Sequence, residues 1–159
     1  MASAAEVLIL LGATYVGFRM VRKGVELLSD QEDYIARTIF GEASGEGARG
    51  MQAVANVIMN RVKAGSWYGT TPKDVVLKKY QFSCWNDGDP NKPRILAATA
   101  ADKAFSNAQL IASAAYHGTL PDITNGATHY YAYKSIKAPS WVNKMTYTTT
   151  IGNHKFYKE

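Results

Sequence analysis

Six apolar residues near the middle of the chain recur with the period of an α-helix, and this pattern constrains the fold more than any other. They occupy positions i, i+3, i+4, i+7, i+8 and i+11 of one segment, namely Met51, Val54, Ala55, Ile58, Met59 and Val62. This spacing places all six side chains on one helix face, which is stable only when it is buried. A chain of 159 residues is long enough to bury that face within one domain. We therefore expect a globular fold built around this helix, which should end at Gly65.

Further helix signals flank this segment. Ser29 to Glu32 has the S-x-x-E form of a capping box, so a helix should begin there, and Gly41 is expected to end it. Thr71 followed by Pro72 predicts a short helix through Leu77. An alanine-rich pattern predicts one more helix, from about residue 101 to residue 118.

Strand signals come last. Alternating and β-branched residues predict short strands within residues 127–133, 145–150 and 154–157. Residues 80–98 contain two prolines and no sustained period, so we expect a long loop there. Helices followed by a small antiparallel sheet make an α+β domain.

The N-terminal segment differs from the rest of the chain. The twelve residues from 7 to 18 carry no charge, and Arg19, Arg22 and Lys23 follow them. As a helix they would rise roughly 18 Å, less than the ~30 Å of a bilayer core. We predict an apolar, then amphipathic, helix over residues 1–29 and a separate domain over residues 30–159. The helix packs on that domain, docks onto a partner subunit or virion, or anchors in a membrane, and the sequence leaves these three open.

Composition and charge exclude several classes. The chain is 47% hydrophobic and 19% charged, which excludes a disordered protein. Cys84 is the single cysteine, so an intrachain disulfide and a thiolate-rich zinc site are excluded, and we expect a small buried side chain. The net charge of +5 lies mainly in residues 127–159, where five lysines face Glu159 alone. Such an excess suits a polyanionic partner, which includes nucleic acid, a membrane or an anionic cell wall.

A set of short motifs follows the capping box in order along the chain. The leading motif is Ala36-Arg37, then Glu42-Ala43-Ser44-Gly45-Glu46, a glycine-rich turn, and Asn60-Arg61-Val62. Later blocks are Gln81-Phe82-Ser83, Gly126 to Tyr131, Pro139-Ser140-Trp141 and Ile151 to Tyr157. Together these blocks resemble the SleB-type cell-wall hydrolases, the family named for spore-cortex-lytic enzymes and also found in bacteriophages, and the resemblance covers about residues 31–159. It implies a lysozyme-like fold and cleavage of the glycan strands of peptidoglycan at the β-1,4 bond between MurNAc and GlcNAc, without a cofactor.

The resemblance assigns the catalytic acid to Glu42. The apolar neighbours Ile39 and Phe40 agree with this role, because burial disfavours a carboxylate and raises its pKa. Glu46 is a candidate second carboxylate, although we favour a structural role at the start of the next helix. Lytic transglycosylases, which the better-known members of the family resemble, need only one acid. Asp87 and Asp89 keep a hydrolytic, muramidase-type route open.

Aromatic rings and polar side chains are the groups that bind sugars. The stacking candidates are Phe82, Trp85, Tyr130, Tyr131 and Trp141. The polar candidates are Ser83, Asn86, Asn153 and His154. Because strand residues alternate between faces, about half of the aromatic candidates should instead be core residues.

Two other functions compete with this interpretation. A zinc-dependent peptidoglycan amidase would use His117, His129 and His154, although their spacing matches no known zinc motif. A basic nucleic-acid-binding module would use the C-terminal lysines and tyrosines, but no motif of that kind is present, and we expect no nucleic-acid partner. We expect a phage endolysin or virion-borne enzyme that acts on the bacterial cell wall from its periplasmic or extracellular side, and is membrane-associated or virion-borne.

Overall fold

The computed structural model of the protein describes residues 28–159. It contains five helices of six or more residues and a three-stranded sheet. The helices are α1 (Asp30–Ala43), α2 (Gly47–Ala64), α3 (Pro72–Leu77), α4 (Asn91–Ala97) and α5 (Lys103–Tyr116). The strands are β1 (His129–Ala132), β2 (Thr146–Ile151) and β3 (His154–Lys158). The α+β prediction is confirmed.

The two helices that organise the fold begin and end largely as their sequences predict. Ser29 and Glu32 form the reciprocal capping box at the start of α1. The apolar stripe lies on α2, and Gly65 follows the last residue of that helix. The prediction that α1 ends at Gly41 is wrong, because the helix continues for two more residues. A side chain at Gly41 would press on Cys84 and Ile95, so the glycine serves a close approach rather than an end.

The expected long loop over residues 80–98 is also interrupted by structure. A 3₁₀ turn spans Ser83–Trp85, and α4 follows it. Pro93 belongs to the first turn of α4, where no intrahelical partner is needed for its missing N–H. The prediction of a continuous loop is therefore wrong over Asn91–Ala97, where a helix begins with a proline-containing turn.

The sheet is antiparallel with the order β1-β3-β2. Tyr130 pairs with Phe156, and Ala132 pairs with His154, so these four side chains share one face. Phe156 packs on that face against Ala53 and Val57 of α2. The other face carries Tyr131 and Tyr157. Helix α2 thus contributes to both the main core and the smaller core beneath the sheet.

The main core lies around α1, which contacts all four other helices. Ile35, Ile39, Met51, Ile58 and Phe105 are almost completely buried there. Leu28 packs against the edge of this core. The predicted helix over residues 1–29 lies outside the described residues except for its last two positions. Between residues 28 and 159, no helix is long and apolar enough to cross a membrane.

Candidate active site

Glu42 lies in the last turn of α1, where three distant segments of the chain meet. Its Oε1 accepts a hydrogen bond of 3.1 Å from the backbone N–H of Cys84. Its Oε2 accepts one of 3.1 Å from the hydroxyl of Tyr130, on β1. The carboxyl group is partly exposed, so it is oriented by two donors and still reachable from solvent.

The same face of α1 carries Tyr34 and Thr38, at helical spacing from Glu42. The indole Nε1 of Trp85 donates a 2.9 Å hydrogen bond to Thr38 Oγ1. Its ring lies 5.4 Å from the ring of Tyr34, centroid to centroid. These contacts fix the 3₁₀ turn that supplies the Cys84 N–H to Glu42.

Two ionisable side chains on the inner face of the sheet border Glu42. Burial, and then the negative charge of Glu42, raise the pKa of Tyr130 well above its ordinary value, so its hydroxyl stays protonated and donates. His154 packs edge-on against Tyr130, with 5.2 Å between ring centroids. Burial lowers the pKa of His154 below its ordinary value, so the imidazole is neutral at pH 7. His154 therefore adds no formal positive charge beside Glu42.

Arg61 lies behind this site, at the end of α2. Arg61 is 7% exposed, and burial lowers its pKa. The Nε atom donates to the carbonyl of Thr128 at 2.7 Å, and Nη1 donates to Gln81 Oε1 at 3.0 Å. Arg61 belongs to the Asn60-Arg61-Val62 motif, and the sequence alone predicts no role for its side chain.

Glu46 has different surroundings from Glu42. Its carboxylate accepts two hydrogen bonds from Asn153, one from the backbone N–H at 2.9 Å and one from Nδ2 at 2.6 Å. The backbone bond is the main cause of the lowered pKa of Glu46. Glu46 immediately precedes α2, but its carboxylate makes no capping hydrogen bond to the start of that helix. Instead it holds the turn between β2 and β3.

Comparisons with known proteins identify the fold and the family. Residues 45–157 match the family described as Cell Wall Hydrolase. The chain belongs to this family. It is an enzyme that acts on the bacterial cell wall. The matched residues begin three positions after Glu42, so the family match does not itself include that residue.

Two solved structures share the fold of this cell wall hydrolase. One is the catalytic domain of the germination-specific lytic transglycosylase SleB from Bacillus anthracis, at 24% identity and a TM-score of 0.60, covering 84% of this chain and 99% of that one. The other is the catalytic domain of Bacillus cereus SleB, at 24% identity and a TM-score of 0.59, covering 86% and 98%. The lysozyme-like, SleB-type fold is therefore confirmed. No curated protein matches the chain.

The predicted sugar-binding residues do not all gather at Glu42. Phe82 is 2% exposed and packs in the core, so its ring cannot stack on a sugar. Trp141 packs against Tyr131 and Tyr157, on the sheet face opposite to Tyr130. Tyr131 is therefore also directed away from Glu42. Phe82 is therefore a core residue, whereas sugar binding by Tyr131 and Trp141 stays a prediction.

The remaining candidates stay nearer the carboxyl group. Trp85 is partly exposed and Ser83 is exposed, one on each side of Cys84. Tyr130 was predicted to stack on a sugar, and its hydroxyl also donates a hydrogen bond to Glu42. Asn153 is held by Glu46, and His154 packs beside Tyr130. A sugar at Glu42 would therefore meet the 83–85 turn on one side and β1 and β3 on the other.

The other acidic candidates and the histidines do not form one cluster, and most of them contact partners away from Glu42. Asp87 pairs with Lys92 at 2.6 Å, and Asp89 accepts from the backbone N–H of Asn91 at 2.8 Å. His117 lies 3.4 Å from Glu32, at the far end of α1 from Glu42. His129 and His154 lie on opposite faces of the sheet. Within residues 28–159, no group of three His, Cys, Asp or Glu side chains could hold a metal ion, so the histidine set proposed for a zinc amidase is not assembled.

Proposed function

We propose that this enzyme cleaves the β-1,4 bond between MurNAc and GlcNAc in peptidoglycan strands, with Glu42 as its single catalytic acid, as a lytic transglycosylase. The observation that carries the proposal is the contrast between Glu42 and the other candidate carboxylates. Glu42 is oriented by two donors and partly exposed. Glu46 also accepts two hydrogen bonds, but those from Asn153 lower its pKa, and Lys92 lowers the pKa of Asp87, so both groups stay ionised and hold no proton to donate. A one-carboxylate mechanism needs no further acid.

In the first step, protonated Glu42 donates its proton to the glycosidic oxygen as the C1–O bond of MurNAc breaks. The leaving GlcNAc keeps that proton as a new hydroxyl group. The carboxylate left behind is stabilised by the Cys84 N–H and the Tyr130 hydroxyl. In the second step, the C6 hydroxyl of MurNAc attacks C1 and passes its proton to the Glu42 carboxylate. The product is a 1,6-anhydro sugar, the acid is restored, and no water is consumed.

The direct test replaces Glu42 with glutamine, which keeps the shape but cannot donate the proton. Turnover of purified peptidoglycan should fall by about 10²- to 10⁴-fold, the usual loss of general-acid catalysis. Circular dichroism should show an unchanged fold. Glu46→Gln is the matched control and should lose much less activity. Near-normal turnover in Glu42→Gln would refute the assignment, and equal losses in both variants would favour a two-carboxylate mechanism.

Mass spectrometry of the products separates the chemical routes. Anhydro-MurNAc ends are expected. Reducing ends would indicate a muramidase that uses water, and released stem peptides would indicate an amidase. The similarity to a germination-specific lytic transglycosylase, SleB from Bacillus anthracis, supports the first outcome.

We also propose that residues 1–29 place the catalytic domain, as an endolysin or a virion-borne wall enzyme of a phage requires. The uncharged stretch over residues 7–18 supports this. We expect residues 1–29 to contact a membrane or a phage virion.

A further inference from the structure

The consecutive residues Asn60 and Arg61 hold the chain just before β1. Asn60 Nδ2 donates to the carbonyl of Ala127 at 3.0 Å. Arg61 Nε donates to the next carbonyl, that of Thr128, at 2.7 Å. Tyr130 follows two residues later. The end of α2 therefore sets where β1 begins and hence where the Tyr130 hydroxyl reaches Glu42.

The second arm of Arg61 holds the other segment that reaches Glu42. Arg61 Nη1 donates to Gln81 Oε1 at 3.0 Å, and Gln81 Nε2 donates to the Tyr68 carbonyl at 3.2 Å. The guanidinium also lies 5.0 Å from the ring centroid of Phe82. Cys84, whose N–H binds Glu42 Oε1, is three residues beyond Gln81. One side chain thus anchors the approaches to both donors.

Burying the Arg61 side chain to make these contacts has an unfavourable desolvation free energy. Arg61 is a buried cation, and it takes part in none of the ion pairs found among residues 28–159. A buried charge without an ion pair costs several kcal/mol. The guanidinium donates to these two acceptors from separate nitrogens in one rigid plane, whereas an ammonium group donates from a single nitrogen at the end of a flexible stem. This geometry indicates that Arg61 fixes the positions of its two acceptors, the Thr128 carbonyl and Gln81 Oε1, and does more than fill space in the core.

We infer that Arg61, assisted by Asn60, is a positioning residue that sets the Cys84 N–H and the Tyr130 hydroxyl on Glu42. The inference rests on the proposed role of Glu42 as the acid. It assigns to the Asn60-Arg61 motif the task of aligning the two groups that orient the catalytic carboxyl. Arg61 itself touches neither the substrate nor Glu42.

The first test is the kinetics of Arg61→Lys, which keeps the charge but not the fork. We expect kcat to fall by about 10- to 100-fold with little change in KM, because small misplacements of catalytic groups cost rates of that order. In the Glu42→Gln background the same substitution should cause no further loss. Additive losses in the double variant would overturn the inference, since a merely structural effect acts independently of Glu42.

The matched control is Asn56→Ala, on the same helix one turn earlier. Asn56 holds the same loop through the Pro121 carbonyl at 3.2 Å and the Ile123 N–H at 3.1 Å, but it does not contact the segments that reach Glu42. This variant should lose stability without a comparable loss of kcat. A kcat loss equal to that of Arg61→Lys would show that general loosening of the loop explains both.

The second test does not depend on cleavage, so it separates this inference from the proposed function. Amide hydrogen exchange, followed by nuclear magnetic resonance, reports the Cys84 N–H bond to Glu42 directly. In Arg61→Lys the Cys84 amide should exchange about tenfold faster or more, while amides in α5 keep their wild-type rates. Unchanged exchange at Cys84 would overturn the inference. If Arg61→Lys does not fold, Gln81→Met removes one acceptor of the guanidinium and should give the same result in smaller degree.

Discussion

Glu42 and Glu46 are four residues apart, yet the fold gives their carboxylates different partners. The sequence alone allowed both to be catalytic, because the groups that distinguish them come from far along the chain. Asn153, which engages Glu46, is 107 residues away. Tyr130, which engages Glu42, is 88 residues away. Local patterns such as helix periodicity contain no information about such partners, so the motif singled out Glu42 as a candidate but did not show its surroundings.

The hydrogen bonds from Asn153 to Glu46 make a prediction about acid stability. They lower the pKa of the Glu46 carboxyl below its ordinary value of 4.5, so its contribution is present above that pH and is lost as the pH falls through the lower pKa of the folded state. Glu46→Gln should therefore melt at a lower temperature than wild type at pH 7, with the difference shrinking toward pH 3. Thermal unfolding at both pH values tests this. A difference that stays constant with pH would mean that the carboxylate charge is not what holds the turn.

Helix α1 shows how packing against a neighbour can override a local rule. Glycine usually weakens a helix by about 1 kcal/mol relative to alanine, and the sequence therefore indicated an end at Gly41. In the structure, a Cβ at this position would lie 2.9 Å from both Cys84 Cβ and Ile95 Cγ2. The missing side chain lets the 83–85 turn approach α1 closely enough for the Cys84 N–H to reach Glu42.

This close approach predicts the effect of Gly41→Ala. The gain in helix propensity, about 1 kcal/mol, is opposed by an overpacking cost of typically 1–3 kcal/mol. We expect lower thermal stability and a reduced kcat, because the added methyl group displaces Cys84. Gly45→Ala is the control, since a Cβ there meets nothing within 4 Å and should change little. Equal effects of the two substitutions on kcat would contradict this account of Gly41.

The secondary structure was largely predictable, and the errors have physical causes. Capping residues and apolar stripes fixed α1, α2 and α3, because these signals are local. The pairing of the three strands also followed the expected antiparallel pattern. Helix α4 was missed because Pro93 suggested a loop, although a proline is tolerated in a first turn.

The assembly of the site from the whole chain was less predictable. Alternation in β1 correctly separated Tyr130 from Tyr131, but it did not show which face would meet α1. Trp141 was expected at the substrate because it lies in an irregular segment, and it instead covers the outer face of the sheet. Which aromatic rings remain available for a sugar depends on how α2 and the sheet pack, which no short motif encodes.

The last prediction concerns the chain as a whole and the placement of its catalytic domain. A truncated chain that begins at Leu28 keeps the capping box of α1 and the Leu28 contact with the core. We expect it to fold and to retain activity on solubilised glycan strands. The full chain, but not the truncated one, should float with liposomes if residues 1–27 anchor in a membrane. Circular dichroism, glycan turnover and flotation measured on both chains test this together. An unfolded truncated chain would show that residues 1–27 belong to the core, since each large apolar side chain buried there would contribute roughly 1.5–3 kcal/mol.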